Sequence, residues 1–78
     1  MSTLIDAGKR AFYEAGHVTI IMNSGTQYRF PTKGNPRLER ASDADLNEIE
    51  LSPFGIHWPT LDEDLSFEGI ARGDYGQR

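Results

Sequence analysis

The chain contains no cysteine. That absence removes disulfide staples, thiolate metal sites and a cysteine nucleophile together, and it suits a reducing cytoplasm, where the protein is expected. No apolar run approaches the length needed to span a bilayer, so no membrane association is expected. The opening MSTLIDAGKR has no continuous apolar core behind a basic start, and a secretory leader is not expected there. Repeats, low-complexity tracts and linkers are also missing, so residues 1–78 read as a single domain. The eight glycines are dispersed, which draws neither a phosphate loop nor a dinucleotide fingerprint, and no cofactor is expected.

What is present is small and charge-divided. A chain of 78 residues buries a modest share of its surface and is marginally stable alone, so a partner subunit would help it. Residues 1–40 carry six Lys/Arg against three acids, a charge of +3, and residues 41–78 carry two against nine, a charge of −7. The acidic half argues against a nucleic-acid footprint over the whole surface, because phosphate binding needs clustered cations. A basic protein suits that half better. The ordinary role of such a run is a solvated face that keeps a small protein soluble.

HVTIIMNSGTQYRFP gives the clearest local signal. Val18, Ile20 and Met22 alternate with Thr19 and Ile21, and after Asn23-Ser24-Gly25 the residues Tyr28 and Phe30 alternate with Gln27 and Arg29. This predicts a β-hairpin, with Gly25 at the turn and Pro31 ending the second strand. Upstream, TLIDAGKRAFYEAG reads either as an amphipathic helix interrupted by Gly8 or as a strand over AFYEA that leads into the hairpin through a tight Ala15-Gly16 turn. A third strand would complete a usable sheet.

Asn35-Pro36 is a cap followed by a first-turn proline, so PRLERA is expected to be a short helix. Ser42 with Asp45 three residues on resembles a capping box opening a second short helix over Asp43 to Asn47. Glu48 to Leu51 alternates with a period of two, which favours a strand, although helix through Leu51 also fits the spacing of Leu46 and Ile49. Ser52-Pro53-Phe54-Gly55 is turn chemistry, with Gly55 a structural turn residue, and Ile56 to Trp58 can return as the paired strand until Pro59. Ser66 is placed to cap a last short helix that contains Gly69 and ends before Gly73. The class is α+β: a small antiparallel sheet, as a hairpin or three-stranded meander plus a second short hairpin, with two or three short helices.

Asp62-Glu63-Asp64 invites a metal or acid–base reading. In an extended segment Asp62 and Asp64 share a face and Glu63 points away, and two carboxylates are a poor cage for a cation that wants six or more oxygens. A structural role for one of these acids is the better reading. His57 and Trp58 face opposite ways on a strand. Trp58 is the core candidate, its indole N–H needing an acceptor. His57 could be oriented by Asp62 or Asp64, but no serine sits in an activated context, and no enzymatic activity is expected. Arg37 and Arg40, one helical turn apart with Lys33 nearby, form the basic cluster. Its ordinary reading is an ion pair with Glu39, Glu48 or the 62–64 acids, and its functional reading is contact with phosphate. Tyr75 resembles a docking residue for a mobile tail.

The succession NSGTQYRFP, NPRLERASDADL and EIELSPFGIHWPTLDEDLSFEGIARG resembles the bacterial family known as domain of unknown function 2442. Gly55, Ile56, His57, Trp58, Leu61, Asp62, Glu63, Asp64, Leu65, Ser66, Gly69, Ile70 and Gly73 match its closing pattern residue by residue. The resemblance covers residues 10–73, leaving 1–9 and 74–78 as flexible or accessory ends. Lys33-Gly34-Asn35 departs from it, where members carry a large apolar or aromatic residue. The resemblance implies an α+β fold and no established activity. It also implies membership of toxin–antitoxin-like pairs and, in some relatives, fusion to helix-turn-helix domains.

These readings converge on a non-catalytic protein-interaction module, antitoxin-like, whose partner is a small basic protein or a host protein. Asp62, Glu63, Asp64, His57, Arg37 and Arg40 are the candidate partner-binding residues, and Trp58, Gly25, Gly55, Ser66 and Gly69 the structural ones. The alternatives are a nucleic-acid-binding or regulatory accessory domain built on Lys33, Arg37 and Arg40, and a phage or mobile-element inhibitor whose acids mimic nucleic acid. A homodimer joined through strand edges is compatible with so small a sheet.

Overall fold

The computed structural model of the protein describes residues 7–77. Strand β1 (Gly8–Glu14) pairs antiparallel with β2 (His17–Met22), which pairs with β3 (Gln27–Pro31), giving a three-stranded meander in the order β1-β2-β3. The strand alternative for AFYEA therefore holds, and the strand begins earlier, at Gly8. Residues 1–6, which include the start of the ambiguous segment, lie outside the described residues. Ala15 and Gly16 join β1 to β2 with φ of 50° and 82°, the double left-handed geometry whose twist matches paired strands. The second turn brings Gly25 N–H onto the Met22 carbonyl at 2.9 Å.

Helix α1 (Pro36–Glu39) and helix α2 (Asp43–Leu46) follow, capped by Asn35 and Ser42. Strand β4 (Glu50–Leu51), β5 (Gly55–Trp58) and β6 (Glu63–Ser66) then form a second three-stranded sheet, and helix α3 (Phe67–Ala71), capped by Ser66, closes the fold. The second unit is thus a hairpin extended by β6, which pairs Ile56 with Leu65 and Trp58 with Glu63. Within EDLS only Leu65 is apolar, so the strand carries almost no hydrophobic alternation of its own and takes its register from β5. The β4–β6 sheet holds Gly55 against the neighbouring chain. A Cβ there would stand 2.1 Å from the Leu65 carbonyl oxygen, so no side chain fits.

One core joins both sheets. Val18, Ile20, Met22 and Phe30 come from the first, Ile56, Trp58 and Leu65 from the second, Leu38 and Leu46 from α1 and α2, and Phe67 and Ile70 from α3. α2 contacts β1, and α3 contacts β3, β5 and β6. Trp58 is fully buried, and its indole N–H donates to the Leu46 carbonyl at 3.0 Å. That carbonyl belongs to the last residue of α2, one of the acceptors a helix end leaves without an intrahelical donor. The largest core side chain therefore also ends a helix.

Asn35 is the second buried polar junction, 0% exposed. Its Oδ1 accepts from Arg37 N–H at 3.1 Å and Leu38 N–H at 3.2 Å, and its Nδ2 donates to Glu63 Oε2 at 2.9 Å and the Tyr75 carbonyl at 2.8 Å. Both amide donors and both acceptor positions are used, linking α1, β6 and residues 74–77. Gly76 lies against this junction, where a Cβ would come within 2.6 Å of Asn35 Nδ2. The Tyr75 ring stacks on Phe30 with centroids 5.4 Å apart.

Three stability outcomes follow. Trp58→Ala should cost about 3–5 kcal/mol through lost burial and the orphaned Leu46 carbonyl, read by urea unfolding. Asn35→Asp keeps the cap but sets a carboxylate against Glu63 and the Tyr75 carbonyl. It should cost about 3 kcal/mol at neutral pH, with the deficit narrowing in acid as the introduced carboxyl takes up a proton and regains a donor. Ala15→Asn relieves a left-handed alanine and should raise stability by about 0.5–1 kcal/mol, seen as a higher melting temperature.

Candidate functional site

The register of the second sheet sorts the candidate residues into two groups. Glu50 pairs with His57 and His57 with Asp64, so an acid, an imidazole and an acid form a row across one face. Trp58 and Glu63, displaced by one residue, belong to the opposite face that meets the core. His57 Nδ1 is buried and stands 2.7 Å from Asp64 Oδ1, close enough for an ion pair but not aligned as a hydrogen bond. Asp64 is open to solvent, its side chain 77% exposed. Ser66, two residues along the same face, has its hydroxyl engaged by Gly69 N–H at 2.9 Å as the cap of α3.

The acid run divides as an extended chain requires for Glu63 and Asp64. Asp62 precedes the strand with φ 52°, so it does not share a face with Asp64 in the way simple alternation suggests. The acid with a structural role is Glu63, bound to the Asn35 amide rather than to backbone N–H groups. Among the described residues no three His, Asp or Glu side chains are grouped to hold a metal ion.

Phe54, in the turn before β5, shares a concavity with Asp64 and was not singled out as a contact residue by its sequence. It is 69% exposed, and with Leu51 it is one of two exposed large apolar side chains among the described residues. Its turn is fixed. Ser52 Oγ accepts from Phe54 N–H at 3.3 Å and Gly55 N–H at 3.1 Å, and the Phe54 carbonyl accepts from Phe67 N–H at 2.8 Å. A shallow concavity of about 210 Å³ runs beside it, lined by Phe54, Ile56, Asp64 and Leu65 among others. A serine, a proline and a glycine mark the turn in the sequence, but only the pairing of β5 with β6 leaves the ring uncovered.

Arg37 and Arg40 lie elsewhere, on α1 and its C-terminal end. Their expected partners were carboxylates of Glu39, Glu48 or residues 62–64, and the contacts found are backbone carbonyls. Arg37 Nη1 donates to the carbonyls of Leu61 at 3.2 Å and Asp62 at 3.1 Å, and Arg40 Nε donates to the Pro36 carbonyl at 3.0 Å. Glu39 is turned to Gly34 N–H at 3.1 Å. The ion pairs found among the described residues are His57–Asp64 and Arg72–Glu68.

Two solved structures resemble this one. A crystal structure of a protein of unknown function from Rhodospirillum rubrum is 32% identical, with a TM-score of 0.81 over 94% of this chain and 93% of that one. A solution structure of an uncharacterized protein from Chromobacterium violaceum is 27% identical, with a TM-score of 0.78 over 91% of this chain and 69% of that one. No curated protein matches. Within the described residues no helix is long and apolar enough to cross a membrane. The family model for proteins of unknown function DUF2442 matches residues 9–76, and the chain belongs to that family.

Proposed function

We propose that this domain is a non-catalytic interaction module that holds a basic protein against the Phe54 end of its second sheet. The observation that carries the reading is Phe54 itself: a residue 69% exposed on a turn held by Ser52, bordering a concavity that Asp64 also lines. A rigid exposed aromatic next to a solvent-exposed carboxylate is the arrangement of an interface anchor with a polar rim. Glu50 adds a second carboxylate to the row, and acids arranged this way steer a basic surface toward it.

The partner is basic because like charge would repel. A two-fold pairing through this face would set its acids against the same acids of a second copy, which disfavours a homodimer here. Support lies in the turn more than in a strand edge, since β4 has only two residues and contacts between β1 and β4 bring those edges together. The non-catalytic reading is supported by Ser66 serving as a cap on the His57 face. A small basic protein in the cytoplasm, of the kind found in toxin–antitoxin-like pairs, suits this surface.

The test replaces Phe54 with a photo-crosslinking phenylalanine analogue in the native host. The reading expects one dominant adduct to a protein with a basic surface, lost when Glu50→Lys and Asp64→Lys are combined with it while the melting temperature is kept. An absent adduct, or one indifferent to charge reversal, would overturn it.

A further inference from the structure

Arg37 and Arg40 border two adjoining concavities. The larger, about 640 Å³, is also lined by Ser42, Asp45, Thr60 and Leu61. The smaller, about 190 Å³, lies beside Asn35, Glu63 and Gly76. Each guanidinium is oriented by a backbone carbonyl: Arg37 by Leu61 and Asp62, Arg40 by Pro36. Carbonyls are neutral acceptors, so they fix direction without cancelling charge. Neither arginine joins an ion pair found among the described residues, and their remaining N–H groups have no acceptor among those residues.

The geometry points to a binding site for a phosphate monoester at the Arg37–Arg40 cleft. Two guanidinium groups, each held by backbone carbonyls at the same cleft, supply several donors and two positive charges, which match the oxygens and the near-double charge of a phosphate monoester better than those of a single carboxylate. Ser42 and Thr60 line the same cleft; the Ser42 oxygen accepts from Asp45 N–H as the α2 cap, which leaves its O–H proton free to donate. Asp45 on the wall accepts from hydroxyl or amino groups and repels further anionic charge. The cleft therefore favours a small ligand with one phosphate and a polyol or base, such as a nucleotide or sugar phosphate, over a run of backbone phosphates. This site does not depend on the Phe54 face.

The probes are inorganic phosphate, adenosine monophosphate, adenosine and a short single-stranded DNA, each titrated into the full chain at low salt and followed by amide NMR. Saturable shifts confined to residues 35–46 and 59–62 are expected with adenosine monophosphate and absent with adenosine. Affinity should fall by about tenfold or more in Arg40→Gln, with Arg40→Lys between the two. Arg40 is the chosen position because its substitution leaves the Arg37 contacts to Leu61 and Asp62 in place, and unchanged shifts elsewhere report an intact fold. Equal saturable binding of inorganic phosphate supports the same site with free phosphate as its source. Absent saturation, shifts indifferent to Arg40→Gln, or DNA binding tighter than the nucleotide with a steep salt dependence would each overturn the proposal.

Discussion

The buried amide of Asn35 is the constraint on which the arrangement of the last third depends. One side chain caps α1 through Oδ1 and clamps β6 and the chain at Tyr75 through Nδ2. A buried amide left half-satisfied is costly, so these four hydrogen bonds form or fail together. With β6 held, Glu63 faces the core, Asp64 faces out beside His57, and Gly76 closes over the junction. The two candidate surfaces owe their separation to this point. β6 presents its outward acid to the Phe54 face, while its inward neighbour Glu63 lines the smaller cleft by Arg37 and Arg40.

Trp58 plays the complementary part for the apolar core. Its ring fills the space between sheet and helices, and its N–H ends α2. Two buried polar groups, one amide and one indole, thus fix both short helices before the cleft. Neither α1 nor α2 has enough turns to be stable in isolation. Their positions come from caps and core contacts, and the arginines on α1 inherit that rigidity.

Features encoded within a few residues were legible in the sequence. The alternation of Val18, Ile20 and Met22 gave the hairpin, and Asn35, Ser42 and Ser66 gave three helix starts, because a cap bonds to amides two or three residues away. Trp58 was legible as core by size. Features set by distant partners were not. β6 has one apolar residue and becomes a strand because β5 offers it a ladder. Asn35 was readable as a cap, but its second pair of bonds reaches 28 and 40 residues along the chain. The exposure of Phe54 follows from which strands surround its turn, and the carbonyl partners of Arg37 follow from a left-handed Asp62 that no local signal announced. Tyr75 was recognisable as a docking residue, while its seat on Phe30 was not.

Hydrogen exchange measured by NMR tests the central claim most directly, since the Asn35 side-chain amide protons and the Trp58 indole proton are individually observable. If these groups hold the last third in place, their protons exchange only with global opening, as slowly as the amides of β2. Exchange of the Asn35 amide at the rate of a free side chain, while β2 stays protected, would contradict the account.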